Sequence, residues 1–330
     1  MRSNGLVVAI DGPSGAGKST AGRALAARLG YTYIDTGAMY RALALKASRS
    51  GVSLDAEEAL ASLCRASSIQ LTDGGRRVLL DGYDVTAEVR SREISRASSL
   101  VSVHPGVRVE MVARQRELGR DGGVVLDGRD IGSAVFPDAE VKFYLDAIPG
   151  ERAQRRLTEL RAAGSDASFD AVEREVRERD YTDTHRAESP LQRAWDAIAL
   201  DTTRMSHEEV VERMLAAVRA REGRPVDLGR LAEIHRRSQR RYLEVLRTGQ
   251  LSAGIYRLGR GDEDQQRPHH EEEVYLVMEG RGRFRIGDQD FVAEPGALLT
   301  VPARVEHAFH SITDDLLLLV FFAPAEGSSD

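Results

Sequence analysis

Residues 6–19 read Leu6-Val7-Val8-Ala9-Ile10-Asp11-Gly12-Pro13-Ser14-Gly15-Ala16-Gly17-Lys18-Ser19, an apolar run leading straight into a complete G-x-x-x-x-G-K-[ST] loop. The glycines let backbone N–H groups curl around a phosphate, Lys18 carries a point charge to β and γ oxygens, and the Ser19 hydroxyl is placed for magnesium. Residues 19–29 are rich in Ala, Leu and Arg and read as a helix, whose positive dipole end then faces the anion. Strand, phosphate loop and helix follow in the required order, so Gly12, Pro13, Ser14, Gly15, Ala16, Gly17, Lys18, Ser19 and Thr20 are the expected ATP-binding residues. Lysine occurs at only three positions, 18, 46 and 142, so composition does not account for one in this loop.

The pattern continues outward from that stretch. Strands are expected at 6–10, 31–34, 123–127, 140–145 and 197–201, alternating with amphipathic helices, which is the signature of a parallel sheet covered on both faces. Between 66 and 86, Ile69-Gln70-Leu71 and Val78-Leu79-Leu80 flank Thr72-Asp73-Gly74-Gly75, a hairpin inserted on the main sheet. A helix over 206–222 ends at Gly223 and Pro225, which places a linker at 223–228. Beyond it come a basic helix at 229–247 and short β-rich runs at 252–257, 273–279, 282–286, 297–301, 306–311 and 315–322, an all-β tail that reads as a small barrel. The apolar run Leu316 to Ala323 has the length of a buried strand.

Composition narrows the function. A chain of 330 residues suggests two domains at roughly 150 residues each. A formal charge of −6 argues against nucleic-acid or membrane binding through bulk charge, so phosphate-binding positives must be focused locally. The single Cys64 permits no intramolecular disulfide and reads as a packed helix residue in a reducing compartment. The first apolar run is too short for a signal or a span, and a cytoplasmic location is expected.

A phosphate loop alone says only that a nucleotide is bound. The acceptor side is written in further blocks: Asp35-Thr36-Gly37-Ala38-Met39-Tyr40-Arg41, Asp127-Gly128-Arg129-Asp130-Ile131-Gly132, Arg179-Asp180 with Asp183 and Arg186, Ser189-Pro190-Leu191, and Asp196 to Thr203. Arg41, Arg129 and Arg186 come from three separated loops, and guanidinium forks suit a phosphate acceptor. A nucleoside monophosphate is already ionised near neutral pH, so its attacking oxygen needs no general base. These blocks resemble the bacterial cytidylate kinases over nearly all of residues 5–220. The resemblance implies a P-loop nucleoside monophosphate kinase domain at 1–222, an α/β parallel sheet with helices on both faces, a monophosphate-binding insertion at 66–105 and a mobile lid at 150–190. It implies transfer of the γ-phosphoryl of ATP, with magnesium, to CMP or dCMP. Arg41, Arg129 and Arg186 would hold the acceptor phosphate, Ser99, Arg108 and Asp130 would read cytosine, and Tyr40, Arg179 and Asp183 would lie around sugar and phosphate. Thr36 stands where the best-known members have Ser and keeps the hydroxyl expected at the CMP site. Arg152, Arg155 and Arg156 fall at i, i+3, i+4 on the helix after Pro149, and Arg155 is taken as the lid arginine that reaches the transferring group. Asp127 is either a Walker-B-like residue near magnesium or a turn cap, and Asp35 carries the same ambiguity. Two other readings stay open here, a P-loop kinase for UMP or a small metabolite, and a nucleotide-dependent switch, although N-K-x-D is absent.

In the tail, Gly261-x5-Arg267-x-His269-x3-Glu273-x6-Gly280 and Gly296-x5-Pro302-x-Arg304-x2-His307-x3-Ser311 resemble the two cupin motifs, with Arg267 where that family usually has His and Arg304 where it usually has Gly. The resemblance implies a double-stranded β-helix barrel at 229–330, with an N-terminal helix. Strand periodicity sets Arg267, His269 and Glu273 on one face and His270 on the other. With His307 they form a 2-His-1-carboxylate set for Fe(II), Mn(II), Ni(II) or Zn(II), completed by Gln265 or water. The alternative is a barrel for an anion or small molecule, or a homodimerisation unit.

Overall fold

The computed structural model describes residues 2–162, 164–238, 240–248, 250–325 and 327, which divide into two compact units, 2–211 and 212–327. In the first unit the fully buried Val7-Val8-Ala9-Ile10 forms strand β1 (Val7–Asp11), central in its sheet. Buried on both faces, it reads as a continuous apolar run and not as an alternating one. The phosphate loop follows, then α1 (Lys18–Leu29), β2 (Thr32–Asp35) and α2 (Thr36–Arg49). After α3 (Glu57–Arg65) comes the insertion: a small antiparallel sheet β3 (Ile69–Thr72), β4 (Arg77–Leu80) and β5 (Tyr83–Asp84), turning through Asp73, Gly74 and Gly75 at positive φ. Helices α4 (Arg92–Val101) and α5 (Pro105–Gly119) lead back to β6 (Val124–Asp127) and β7 (Val141–Asp146). Then come α6 (Pro149–Ala162), α7 (Phe169–His185), β8 (Ile198–Asp201) and α8 (His207–Arg221).

The five main strands lie in the order β2-β6-β1-β7-β8, all parallel. Each of the five expected strands is present. In this order β1 stands between β6 and β7, so Asp11, the phosphate loop and Asp127 meet at the carboxyl ends of neighbouring strands, where open parallel sheets bind ligands. The division between units falls inside α8, ahead of the expected linker at 223–228. Ala216, in the second half of that helix, shares a buried core with Leu231, Ala232, Leu243, Val245, Ile255 and Leu317 of the second unit.

The second unit is antiparallel. The expected helix at 229–247 is α9 (Leu228–Arg237) only, and Tyr242–Arg247 is strand β9. Leu243 and Val245 are buried with period two, and that alternation overrides the helix-forming arginines around it. Strand β10 (Ser252–Leu258) is followed by β11 (Glu272–Ile286), which absorbs both expected runs 273–279 and 282–286 through irregular register near Gly280. Strands β12 (Gln289–Ala293) and β13 (Leu298–Val301) precede β14 (His307–Ala323), which likewise joins the runs 306–311 and 315–322. The strand order is β12-β11-β14-β10-β9, with β13 paired to β11. Tyr275, Phe284, Phe309, Leu316, Leu318, Val320 and Phe322 fill the core.

Candidate active site

The phosphate loop is a cradle that tolerates no side chain at its glycines. A Cβ on Gly12, at φ +144, would stand 2.0 Å from the Leu145 carbonyl oxygen, and one on Gly15, at φ +78, would stand 2.8 Å from that of Arg152. Only glycine allows both that backbone conformation and that approach. Lys18 is buried and donates to the carbonyls of Gly12 and Pro13, both at 2.7 Å. Burial, with Arg129 nearby, pulls its pKa well below the usual lysine range. An anionic ligand would restore the charge that burial disfavours.

The Ser19 hydroxyl donates to Asp127 Oδ2 at 2.6 Å, and the Tyr33 hydroxyl to Asp127 Oδ1 at 2.9 Å. Burial, with Asp35 close by, raises the pKa of Asp127. The two readings of Asp127 separate here. Its carboxylate binds side chains at the loop, and the Thr36 hydroxyl takes its main-chain oxygen at 2.7 Å. Asp35, by contrast, caps α2 by accepting from the Ala38 N–H at 2.8 Å, and it also accepts from Arg41 at 3.0 Å. Burial works against its ionisation, but Arg41 holds its pKa below the usual value.

A cavity of about 700 Å³ opens on Ser14 to Thr20, Asp35, Arg41, Asp127, Arg129, Arg155 and Arg179, among others. Arg129 Nε donates to Asp183 Oδ2 at 2.7 Å, and Arg179 lies 3.9 Å from the same oxygen. Burial and the neighbouring Arg129 bring Arg179 down to about 10. The Nε of Arg179 is buried with no hydrogen-bond acceptor among the described residues, and the Nη2 of Arg186 has only an ion-pair contact. Buried donors of that kind are costly unless a ligand supplies the acceptor.

Farther in, Arg108 and Asp130 form a buried ion pair, and Arg186 Nη2 sits 3.3 Å from the other Asp130 oxygen. Burial pushes the Tyr40 hydroxyl up to about 12, with the Arg108–Asp130–Arg186 charges as its neighbours. Ser99 is on a second cavity of about 970 Å³, which shares Ser14, Ser95, Arg156 and Arg179 with the first. Arg155 bonds Glu151 at 3.1 Å and the main-chain oxygen of Thr202 at 2.7 Å, whereas Arg152 is buried against the Ser14 carbonyl at 3.2 Å and Asp180 at 2.6 Å. Of the three helix arginines, then, Arg152 braces the loop while Arg155 and Arg156 line the cavity.

Sequence reading missed Asp11. Its carboxylate accepts the N–H groups of Ile131 and Gly132 at 2.8 and 2.7 Å, and burial raises its pKa to about 6. These bonds pin the start of a wide turn in which Val135 and Phe136 bond Asp130 and Ile131 five residues back. Its place directly before Gly12 was the available signal.

In the second unit, His269 Nδ1 lies 2.6 Å from Glu273 Oε1, and His307 Nε2 lies 3.5 Å from Glu273 Oε2. Ligand atoms of the three residues lie within 4.8 Å of one another. His307 Nδ1–H donates to the Val305 carbonyl at 2.9 Å, which leaves Nε2 as the available ring nitrogen. Burial opposes ionisation of Glu273, but His269, His307 and Tyr275 hold it near 2. Arg267 is exposed and does not share the inward face with His269 and Glu273, because 262–270 is irregular and strand alternation starts only at Glu272. Gln265 is exposed as well; the residue in the cluster is Gln266, whose Oε1 accepts from Tyr275 at 2.8 Å.

A phosphoryl donor and a phosphorylated acceptor need two anion sites in one cleft, and here one is made of amides and the other of guanidinium groups. On a parallel sheet of this order, that makes the first unit a P-loop nucleoside monophosphate kinase. A family model described as cytidylate kinase matches residues 8–220, and a second, described as cupin domain, matches 254–322. The chain belongs to the cytidylate kinase family and carries a cupin domain behind the kinase. It is 50% identical over 225 residues to the cytidylate kinase of Geobacillus sp. (strain WCH70), a match covering 68% of this chain and 100% of that protein. The cytidylate kinase of Syntrophotalea carbinolica is 51% identical over 219 residues, 66% of this chain and 93% of that protein. Among solved structures, TT1209 from Thermus thermophilus is 26% identical, with a TM-score of 0.27, over 30% of this chain and 95% of its own.

Proposed function

We propose that the first unit, taken as residues 1–222, transfers the γ-phosphoryl of ATP to CMP and dCMP, giving CDP and dCDP. The observation that carries this is the pairing, across one cleft, of the glycine cradle with Arg41, Arg129 and Arg179, the last of which buries a donor that has no hydrogen-bond acceptor among the described residues. Backbone N–H groups of the loop and Lys18 bind the donor phosphates; Arg41, Arg129 and Arg186 orient the acceptor phosphate for in-line attack. The hard oxygens of Ser19 and Asp127 fit magnesium and would hold it, and the ion would supply positive charge against that of the donor phosphates. Arg108 and Asp130 offer a donor and an acceptor to the carbonyl and amino group of cytosine, with Ser99, Tyr40, Thr36 and Asp183 around base, sugar and phosphate. Arg155 is the lid residue that reaches the transferring group. No general base is assigned, because the attacking oxygen is already ionised. The single buried Cys64 supports a reducing, cytoplasmic location, and among the described residues no helix is long and apolar enough to cross a membrane.

The second unit we read as a ligand-binding barrel in which His269, Glu273 and His307 hold a metal ion. Imidazole and carboxylate donors suit a transition ion.

A coupled assay with ATP and CMP, dCMP, UMP or AMP tests the kinase reading. We expect CMP and dCMP to be turned over with the highest kcat/KM. Failure with every monophosphate, or preference for AMP, contradicts it.

A further inference from the structure

We propose that Asp11 is a positioning residue for acceptor specificity: by taking the two N–H groups that open the 131–135 turn, it spares Asp130 from capping that turn and leaves the Asp130 carboxylate for cytosine. This deepens the kinase reading above and rests on it.

The first support is where segment 128–132 is fastened. The Gly128 N–H donates to the Ile10 carbonyl at 2.9 Å, and the N–H groups of Ile131 and Gly132 donate to Asp11 Oδ1 and Oδ2 at 2.8 and 2.7 Å. Ile10 and Asp11, the end of β1, thus hold both ends of a short excursion, and the residues between the ties are Arg129 and Asp130. Both ties are too close for a side chain. A Cβ on Gly128 would stand 2.7 Å from the Ile131 side chain, and one on Gly132 would stand 3.0 Å from Lys142 Cδ and 3.4 Å from Asp11 Oδ2. Arg116 of α5 holds the far end of the turn, donating to the carbonyls of Ala134 and Val135, both at 2.9 Å. Arg129 and Asp130 therefore stand on a frame fixed at three points.

The second support is a division of labour between two aspartates. Asp130 stands immediately before the turn, where an aspartate ordinarily accepts from the N–H two or three residues ahead. Its side chain makes no such bond. Instead it pairs with Arg108 and faces Arg186 Nη2 at 3.3 Å. Asp11 makes the capping bonds in its place, from a strand 120 residues earlier in the chain. Both aspartates are buried, together with Ile131 and Gly132, and N–H groups left without an acceptor in such a place are costly. If Asp11 loses one acceptor oxygen, the Asp130 carboxylate is already at the capping position to replace it. Each bond it then makes to the turn is withdrawn from Arg108 and from the base. Asp11 thus acts through Asp130 and not on a reacting atom.

The test uses the full chain and reads the ratio of kcat/KM for CMP to that for UMP in wild type, Asp11→Asn, Asp130→Asn and the double variant. Asparagine keeps the shape of Asp11 but sets an NH2 group against one of the two N–H groups. Asp11→Asn should lower the ratio at least about fivefold, through the KM for CMP, with the KM for ATP within about twofold of wild type. In the Asp130→Asn background the same change should move the ratio by less than about twofold, because the reader it positions is already gone. An unchanged ratio in Asp11→Asn, or effects that multiply in the double variant, overturns the proposal and leaves the kinase reading standing. A wild type that does not turn over CMP, or does not prefer it to UMP, removes the reading on which the proposal rests. If Asp11→Asn does not fold, a crystal structure of the wild type with CMP decides. Asp11 on both N–H groups with Asp130 on the cytosine amino group is the expected arrangement, and Asp130 turned onto the N–H groups of the turn overturns it.

Discussion

Asp130 shows how much one carboxylate can decide. It is buried between Arg108 and Arg186, and it can accept from the amino group that distinguishes cytosine from uracil. Asp130→Asn should lower kcat/KM for CMP by about 10- to 100-fold, the value of 1–3 kcal/mol for a base-reading bond, while the ATP KM stays put. The CMP-to-UMP ratio checks this, since lost stability alone cannot change a ratio of substrates; an unchanged ratio removes Asp130 as the reader. Arg41, Arg129 and Asp127 were legible in the sequence because the chemistry demands charged side chains just past strand ends. Asp11 was not, since it works through the main-chain N–H groups of Ile131 and Gly132, 120 and 121 residues away. Tyr275 and Gln266 escaped for a different reason: one reads as a core aromatic, and the other lies in an irregular segment where periodicity says nothing.

Among the elements, α9 carries a pH dependence. His235 is fully buried on it and donates from Nε2 to the Arg241 carbonyl at 3.1 Å. Burial brings its pKa down to about 4. The folded unit therefore takes up this proton only near pH 4, whereas an unfolded chain takes it up near pH 6.5. The stabilisation is complete above about pH 6.5 and is lost as pH falls toward 4, amounting to about 2 kcal/mol between pH 7 and 5. Denaturant unfolding of the second unit should show that loss in the wild type and a smaller one in His235→Gln; identical pH slopes would contradict it. The end of α9 itself was misjudged from sequence, because Arg236, Arg237, Arg240 and Arg241 all favour a helix while the two-residue period of Leu243 and Val245 starts only afterwards. The long strands β11 and β14 were broken in two for a similar reason. Gly280 and Gly282 in one, and Ser311 in the other, look like turn residues but sit at irregularities inside continuous ladders.

For the whole molecule, the parallel sheet was readable from the order of its elements, because a strand buried on both faces and a phosphate loop leave few arrangements. The match to the Geobacillus relative spans all of that protein, which has the kinase region without a barrel behind it. What sequence could not give was the meeting of the acceptor blocks, spread from Asp35 to Arg179, around one cavity; β1 standing between β6 and β7 sets Asp127 and the phosphate loop side by side there. The account turns on that meeting, and calorimetry of CMP and ATP binding to wild type, Arg41→Ala and Arg129→Ala tests it most directly. Each substitution should weaken CMP by at least about tenfold, as expected for losing a charged hydrogen bond, with ATP affinity within about twofold of wild type. CMP binding that stays at the wild-type level in both variants would contradict the arrangement of the cleft described above.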